Sequence, residues 1–147
     1  WIQVNRAIYE AQILISDLKD VQINTKSLDY EVLADSALTE IFHNLIDNSR
    51  KHANQGQKPL QIKIYSKKSK NGNLKIIYED NGKGIDPKIK PRLFSKGAGN
   101  STGLGLYLIQ RICDIYNWTV KENGEPGKNA RFEISIAKNL NRQMKQN

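Results

Sequence analysis

The chain has 147 residues, 38% of them apolar and 26% charged, which suits one domain with a single buried core. No apolar run approaches the ~20 residues of a membrane span, no signal-peptide pattern opens the chain, and one cysteine excludes a disulfide framework and fits a reducing compartment. The net charge of +8 invites a nucleic-acid reading, but Lys and Arg are spread along the chain without the interleaved aromatic residues of a stacking platform, so no nucleic-acid contact is expected. Local density at Lys67, Lys68 and Lys70 and in the tail reads instead as a solvated basic surface, useful toward an anionic ligand or an acidic partner.

From Val4 through Ala7, Ile8, Ala11, Leu14 and Leu18 apolar residues recur at helical spacing, and strands are predicted at 21–25 and 30–33. Asp35 or Ser36 can cap a second helix that carries Leu38, Ile41, Phe42, Leu45 and Ile46 inward and ends around 54–56. Alternating runs at 60–65 and 74–78 flank Asn71-Gly72-Asn73 and predict a hairpin. Residues 80–102 read as a long functional loop with a short helix near 87–94. A helix at 104–116 follows, then a strand pair at 118–121 and 131–136, and from Lys138 a polar, frayed tail. Cys113 sits among Leu108, Ile109, Ile112 and Ile115 and reads as a small core hydrophobe; with two histidines it is too little for an ordinary structural zinc site. Helices and antiparallel strands in separate groups predict an α+β two-layer sandwich with helices on one face of the sheet.

Three clusters carry chemistry. On the second helix Asn44, Asn48, Lys51 and His52 fall at spacings of four, three and one, so they line one side of two turns beside the apolar stripe. A carboxamide oxygen can ligate magnesium, an ammonium can meet phosphate and an imidazole ring can lie against a base; solvated polar residues beside a core face would look the same. Next, Asp80-Asn81-Gly82-Lys83-Gly84 follows an apolar strand. Its glycines allow a tight turn and a carboxylate there can accept from an exocyclic amine, as adenine has and guanine lacks at that position, although Asp-Asn-Gly is also ordinary turn chemistry. Last, Ser101-Thr102-Gly103-Leu104-Gly105-Leu106 opens a helix, whose free N–H groups and dipole favour an anion; a plain capped helix start would look similar. P-loop and dinucleotide-fold readings fail, because no Lys-Ser/Thr ends the glycine run and no βαβ unit surrounds it.

Together and in this order the clusters resemble the GHKL superfamily of ATP-binding domains, over residues 32–132. The resemblance includes the N box on the second helix, the Asp-x-Gly-x-Gly box, Leu93-Phe94 as an F-box-like element, and Gly103-Leu104-Gly105-Leu106. It implies the Bergerat fold, a two-layer α/β sandwich with a mixed, mostly antiparallel sheet, and ATP with Mg2+ beneath a lid at 85–102. Carried over, it implies magnesium at Asn48 with Asn44 close by, phosphate at Lys51, Gly103 and Gly105, and adenine against His52. Asp80 would read the adenine amine, Gly82 and Gly84 would shape its pocket with Ile85, and Thr102, Leu104 and Leu106 would complete the nucleotide-binding set. Lys96 on the lid is expected to close on the terminal phosphate. Asn129 departs from the pattern, standing where the last glycine box usually has a second glycine.

One position separates members of the superfamily. Those that hydrolyse ATP, and the anti-sigma-factor kinases, place a glutamate base four residues before the magnesium asparagine; this chain has Asn44 there. A carboxamide cannot take a proton, whereas a neutral imidazole already offers a lone pair to phosphorus. Asn44-Leu45-Ile46-Asp47-Asn48 is also similar to the wording of sensor histidine kinases. The resemblance therefore implies their ATP-binding catalytic domain, with the phosphoacceptor histidine on a dimerisation domain before Trp1 and a response-regulator receiver domain as downstream partner. It divides the chain into a joining helix at 1–18, the catalytic domain at 19–138 and a polar tail at 139–147. The domain is expected to be cytoplasmic and monomeric without membrane contact of its own, in a homodimeric parent. A regulatory module without phosphotransfer is opposed by intact Asn48, Lys51 and phosphate glycines, and an ATPase by Asn44.

Overall fold

A computed structural model of the chain describes residues 1–53, 59–98 and 104–145. In chain order they form β1 (Ile2–Gln3), α1 (Val4–Ile13), β2 (Val21–Lys26), β3 (Tyr30–Val32), α2 (Ala37–His52), β4 (Leu60–Lys68), β5 (Leu74–Asp80), α3 (Leu104–Ile115), β6 (Thr119–Glu122), β7 (Arg131–Ile136) and β8 (Asn141–Gln143). The main sheet runs β2-β4-β5-β7-β6; β2 lies parallel to β4 and every other pairing is antiparallel. This is the mixed, mostly antiparallel sheet expected, with helices layered against it.

Strand alternation decides the two faces. Leu60, Ile62, Ile64, Leu74, Ile76, Tyr78, Phe132, Ile134 and Ile136 are buried and share one core cluster with the inner stripe of α2, Leu38, Ile41, Phe42, Leu45 and Ile46. Register pairs Tyr78 with Ile64 on one side and Phe132 on the other. The opposite face carries an ionic lattice, in which Arg131 bridges Glu79 at 2.9 Å and Glu133 at 2.6 Å. The start of α2 is tied by Asp35, whose Oδ1 accepts from the Ala37 N–H at 2.8 Å. At the end of α3 Asn117 takes a left-handed φ of 57°, and the Trp118 N–H reaches back to the Cys113 carbonyl at 2.8 Å, a Schellman stop.

Two expectations change. The helix at the start ends at Ile13, short of Leu18, and Val4, Ala7, Ile8 and Ala11 are buried in the common core. The tail at 139–147 is not frayed over its described part, because β8 pairs with β3, which pairs with β1, in a second small sheet. Polar residues build this sheet through backbone bonds and side-chain contacts that leave no periodic signature. Arg142 pairs with Glu31 at 2.6 Å and lies over the Trp1 ring, and Asn141 is buried with its Nδ2 on the Ala137 carbonyl at 2.8 Å.

Candidate functional site

A cleft opens between the second half of α2 and the turn after β5, lined by Asn48, Ser49, His52, Ala53, Asp80, Gly84, Ile85 and Ala130. Five of these, Asn48, His52, Asp80, Gly84 and Ile85, are residues the sequence singles out. The helical repeat explains Asn48 and His52, one turn apart on the same wall. Asp80 is the last residue of β5, on the inner side of the strand, where alternation from Leu74, Ile76 and Tyr78 places it facing the helices.

Asp80 is buried, 5% exposed, and almost fully committed. Its Oδ1 accepts from the Gly82 N–H at 3.0 Å and the Ala130 N–H at 3.2 Å, and its Oδ2 accepts from the Ser49 hydroxyl at 2.7 Å. A carboxylate takes about four hydrogen bonds, so one acceptor position is left, on Oδ2. Sequence reasoning missed two members of this network. Ser49 is buried on the apolar stripe of α2, and Tyr78 Oη lies 2.7 Å from Ser49 Oγ and 3.0 Å from the Leu45 carbonyl. The signal for both existed: each is a polar group at a position whose repeat is otherwise apolar.

Gly82 and Gly84 shape the cleft by packing on protein. Gly84 has φ +73°, and a β-carbon on it would meet the Asn129 carbonyl oxygen at 2.7 Å and that of Glu125 at 2.9 Å. The loop it touches is closed by Asn129, whose Oδ1 accepts from the Glu125 N–H at 2.7 Å. Positive φ among non-glycine residues occurs only at Ser27 and Asn117 in the described chain, so position 129 needs no glycine.

The remaining candidates do not all converge. Asn44 lies one turn before Asn48; its Nδ2 donates to the Glu40 carbonyl at 2.9 Å, and its Oδ1 is the atom nearest to a β-carbon built on Gly105, at 3.3 Å. It therefore sits against the start of α3. Lys51 points away, paired with Asp47 at 2.9 Å; burial would raise the Asp47 carboxyl, but bonds from Lys51 and Arg50 outweigh it and lower its pKa. Lys96 and Leu104 are exposed, and Leu106 packs on the core rather than lining the cleft. Thr102 and Gly103 lie outside the described residues.

The segment after Gly84 is anchored where it begins. Leu93 is buried, and Phe94 meets Phe132 edge-on at 6.3 Å, which in turn meets Tyr78 at 6.3 Å. Lys90 pairs with Glu122 at 2.9 Å and donates to the Gly124 carbonyl at 2.6 Å. Cys113 is buried and plays no part; burial, then the Asp114 charge, push its thiol up to about 12.

Residues 34–140 match the family described as histidine kinase-, DNA gyrase B- and HSP90-like ATPase. Hybrid signal transduction histidine kinase B of Dictyostelium discoideum is 32% identical over 108 residues, covering 67% of this chain and 6% of that protein. Phytochrome-like protein Cph1 of Synechocystis is 31% identical over 113 residues, covering 71% of this chain and 15% of that protein. The chain thus spans a small part of these relatives' length. Among solved structures, a mycobacterial sensor histidine kinase, MprB, superposes with a TM-score of 0.82 at 16% identity over 97% of each chain. The catalytic domain of histidine kinase ThkA does so at 0.74 and 22% identity over 93% of each. These last two are likenesses of fold. With a family match over most of its length and the fold to go with it, the chain belongs to the histidine kinase-, DNA gyrase B- and HSP90-like ATPase family.

Proposed function

We propose that this domain binds ATP in the α2–β5 cleft and transfers the terminal phosphoryl group to a histidine on a dimerisation domain of the same parent protein. A response-regulator receiver domain then takes the group from that histidine. The observation that carries the reading is Asp80: a buried carboxylate with three donors already in place and one acceptor position left in the cleft, suited to the exocyclic amine of adenine. His52 and Ile85 offer surfaces for the base on the same walls, and Asn48 and Asn44 lead from there toward the start of α3. Phosphates would lie at that helix start, since the first N–H groups of a helix have no intrahelical partner. Lys51 would exchange Asp47 for a phosphate oxygen, and Lys96 would approach from the exposed lid.

The donor set fits a magnesium ion that arrives with the triphosphate. The wall offers neutral carboxamides, and no group of three or more His, Cys, Asp or Glu able to cage a metal occurs among the described residues. Asn48 would hold the ion with Asn44 beside it, and the ion would supply charge neutralisation at the terminal phosphates. Asn44 leaves the site without a general base, which an imidazole acceptor does not require.

The test is transfer of radiolabelled phosphate from ATP to a supplied dimerisation domain carrying the acceptor histidine. Label on that histidine is expected, and Asn48→Ala should abolish it while circular dichroism stays unchanged. Nucleotide binding without any transfer would make the domain a regulatory module. Full transfer by Asn48→Ala would overturn the site map.

A further inference from the structure

The described proton donors around Asp80 fix more than its position. Ser49 has one hydroxyl hydrogen, and its neighbours are an acceptor-only carboxylate oxygen at 2.7 Å and the Tyr78 hydroxyl at 2.7 Å. Ser49 must spend that hydrogen on Asp80, so toward Tyr78 it can only accept. Tyr78 also has one hydrogen, with the Ser49 oxygen at 2.7 Å and the Leu45 carbonyl at 3.0 Å both in reach. The shorter contact is to Ser49, so the chain runs from Tyr78 O–H to Ser49 O–H to Asp80 Oδ2, with the Leu45 carbonyl as a second acceptor. Burial, more than the Asp80 charge, pushes the Tyr78 phenol well above its ordinary range, although the Ser49 bond pulls the other way; Tyr78 therefore stays a donor at any working pH. Both residues are built in, with Tyr78 1% and Ser49 3% exposed, yet Ser49 also lines the cleft.

Ser49 donates to the same oxygen that keeps the last acceptor position, since both backbone N–H groups use Oδ1. Its hydrogen occupies one lone-pair direction of Oδ2 and leaves the other for a ligand. We infer that Ser49, oriented by Tyr78, is a specificity-determining positioning residue that aims Asp80 Oδ2 at a purine 6-amino group and against a 6-oxo group. The inference rests on the adenine reading above. It adds that discrimination at the base belongs to three residues in series, none of them touching the reacting phosphates. A merely structural hydroxyl would weaken all nucleotides alike, whereas an aiming hydroxyl changes their ratio.

The experiment titrates the chain by calorimetry with ADP and with inosine diphosphate, which differ in the 6-amino and 6-oxo groups. The unaltered protein should prefer ADP. In Ser49→Ala the affinity for ADP should fall roughly tenfold or more, the usual scale for a hydrogen bond to a charged group, with inosine diphosphate changing far less. Ser49→Thr keeps the hydroxyl and should keep the ratio. Tyr78→Phe keeps the ring against Phe132 and should narrow the ratio by a smaller factor, providing a second reading should Ser49→Ala not fold. An unchanged ratio in both Ser49→Ala and Tyr78→Phe, or equal loss for both nucleotides, overturns the inference and leaves the adenine reading standing. Equal binding of the two nucleotides by the unaltered protein would overturn the adenine reading itself.

Discussion

A β-carbon on Gly82 would lie 2.4 Å from the Cβ of Ala53 and 2.5 Å from its Cα and carbonyl oxygen. The last residues of α2 thus rest on the turn after β5 with no room for a side chain, and the Lys83 N–H closes the contact on the Ala53 carbonyl at 3.2 Å. This contact sets the width of the cleft, since Asn48 and His52 ride on α2 and Asp80 ends β5. Gly82→Ala must displace backbone, which typically costs ~1–3 kcal/mol when a core is overfilled. A lower urea midpoint together with weaker ADP binding is expected. Unchanged values for both would mean that the two elements are not in hard contact.

Asp80→Ala should do two separable things. It removes the acceptor for two backbone N–H groups and one hydroxyl, and unsatisfied buried donors cost ~1–3 kcal/mol each. On the proposed function it also removes the partner of the base amine. Asp80→Asn keeps the volume and one oxygen, so it should recover much of the stability but little of the ADP affinity. Calorimetry and thermal unfolding on both variants separate the two effects. An Asp80→Asn protein that binds ADP at full strength would show that the charge does not read the base.

The Lys90–Glu122 pair anchors the segment that follows the cleft, and the Glu122 side chain is 2% exposed. Removing one partner of a buried pair leaves a lone buried charge and typically costs ~3–5 kcal/mol, at the low end here because Lys90 keeps some exposure to water. Lys90→Met should therefore destabilise more than Lys90→Met combined with Glu122→Gln, in which no charge is stranded. A double-mutant cycle by urea denaturation gives the coupling directly. Additive losses would mean the pair is only a surface contact.

Much of this was legible in the residues, for physical reasons. The stripe Leu38, Ile41, Phe42, Leu45 repeats at helical spacing because one face of α2 is buried, and that repeat also places Asn48 and His52 on a common wall. The strand alternation ending at Asp80 gives its inward direction in the same way. What escaped is what has no periodic trace. The strand at 30–33 is readable, but its partners β1 and β8 come from distant parts of the chain and join it through backbone bonds and the Arg142–Glu31 pair, which neither composition nor period announces. Asn129 replaces an expected glycine at no cost because its side chain closes the turn itself, which only the dihedral angles and the bond to Glu125 reveal. Ser49 and Tyr78 lay in plain view as polar groups on apolar repeats, and neither is singled out by the motifs that surround them.

On the outer face of the sheet Glu133 gives a pH prediction. Burial alone would raise its carboxyl, but hydrogen bonds from Arg131, Lys121 and Asn123, with the Arg131 charge, hold it at about 2 against an ordinary 4.5. A carboxyl whose folded pKa is depressed adds stability above its unfolded pKa and loses it as pH falls toward the folded value. Stability should therefore decline from about pH 4.5 down to about 2. Glu133→Gln should lower stability at pH 7 and flatten that part of the profile. A thermal-unfolding series with the same slope in both proteins would show that other carboxylates carry the acid sensitivity.

The last prediction concerns water. On the proposed function Asn44 stands where a base would serve a nucleophile; it lies against the start of α3, with its amide donating to the Glu40 carbonyl. A carboxamide accepts no proton, so steady hydrolysis of ATP by this domain alone should be negligible, while transfer to an imidazole needs no such help. In Asn44→Glu a carboxylate would replace the amide beside that helix start, whose dipole favours negative charge there. The bond to Glu40 would be lost, so some stability should go with it, on the order of 1 kcal/mol. A well-placed general base gives ~10²–10⁴-fold, and because this one is not pre-positioned, a gain at or below the lower figure is expected. Phosphate release, measured without any acceptor domain, is the assay, with Asn48→Ala as the control against contaminating enzymes. Robust release by the unaltered protein, lost in Asn48→Ala, would mean that water is activated by another group, and would move this domain from phosphotransfer to hydrolysis.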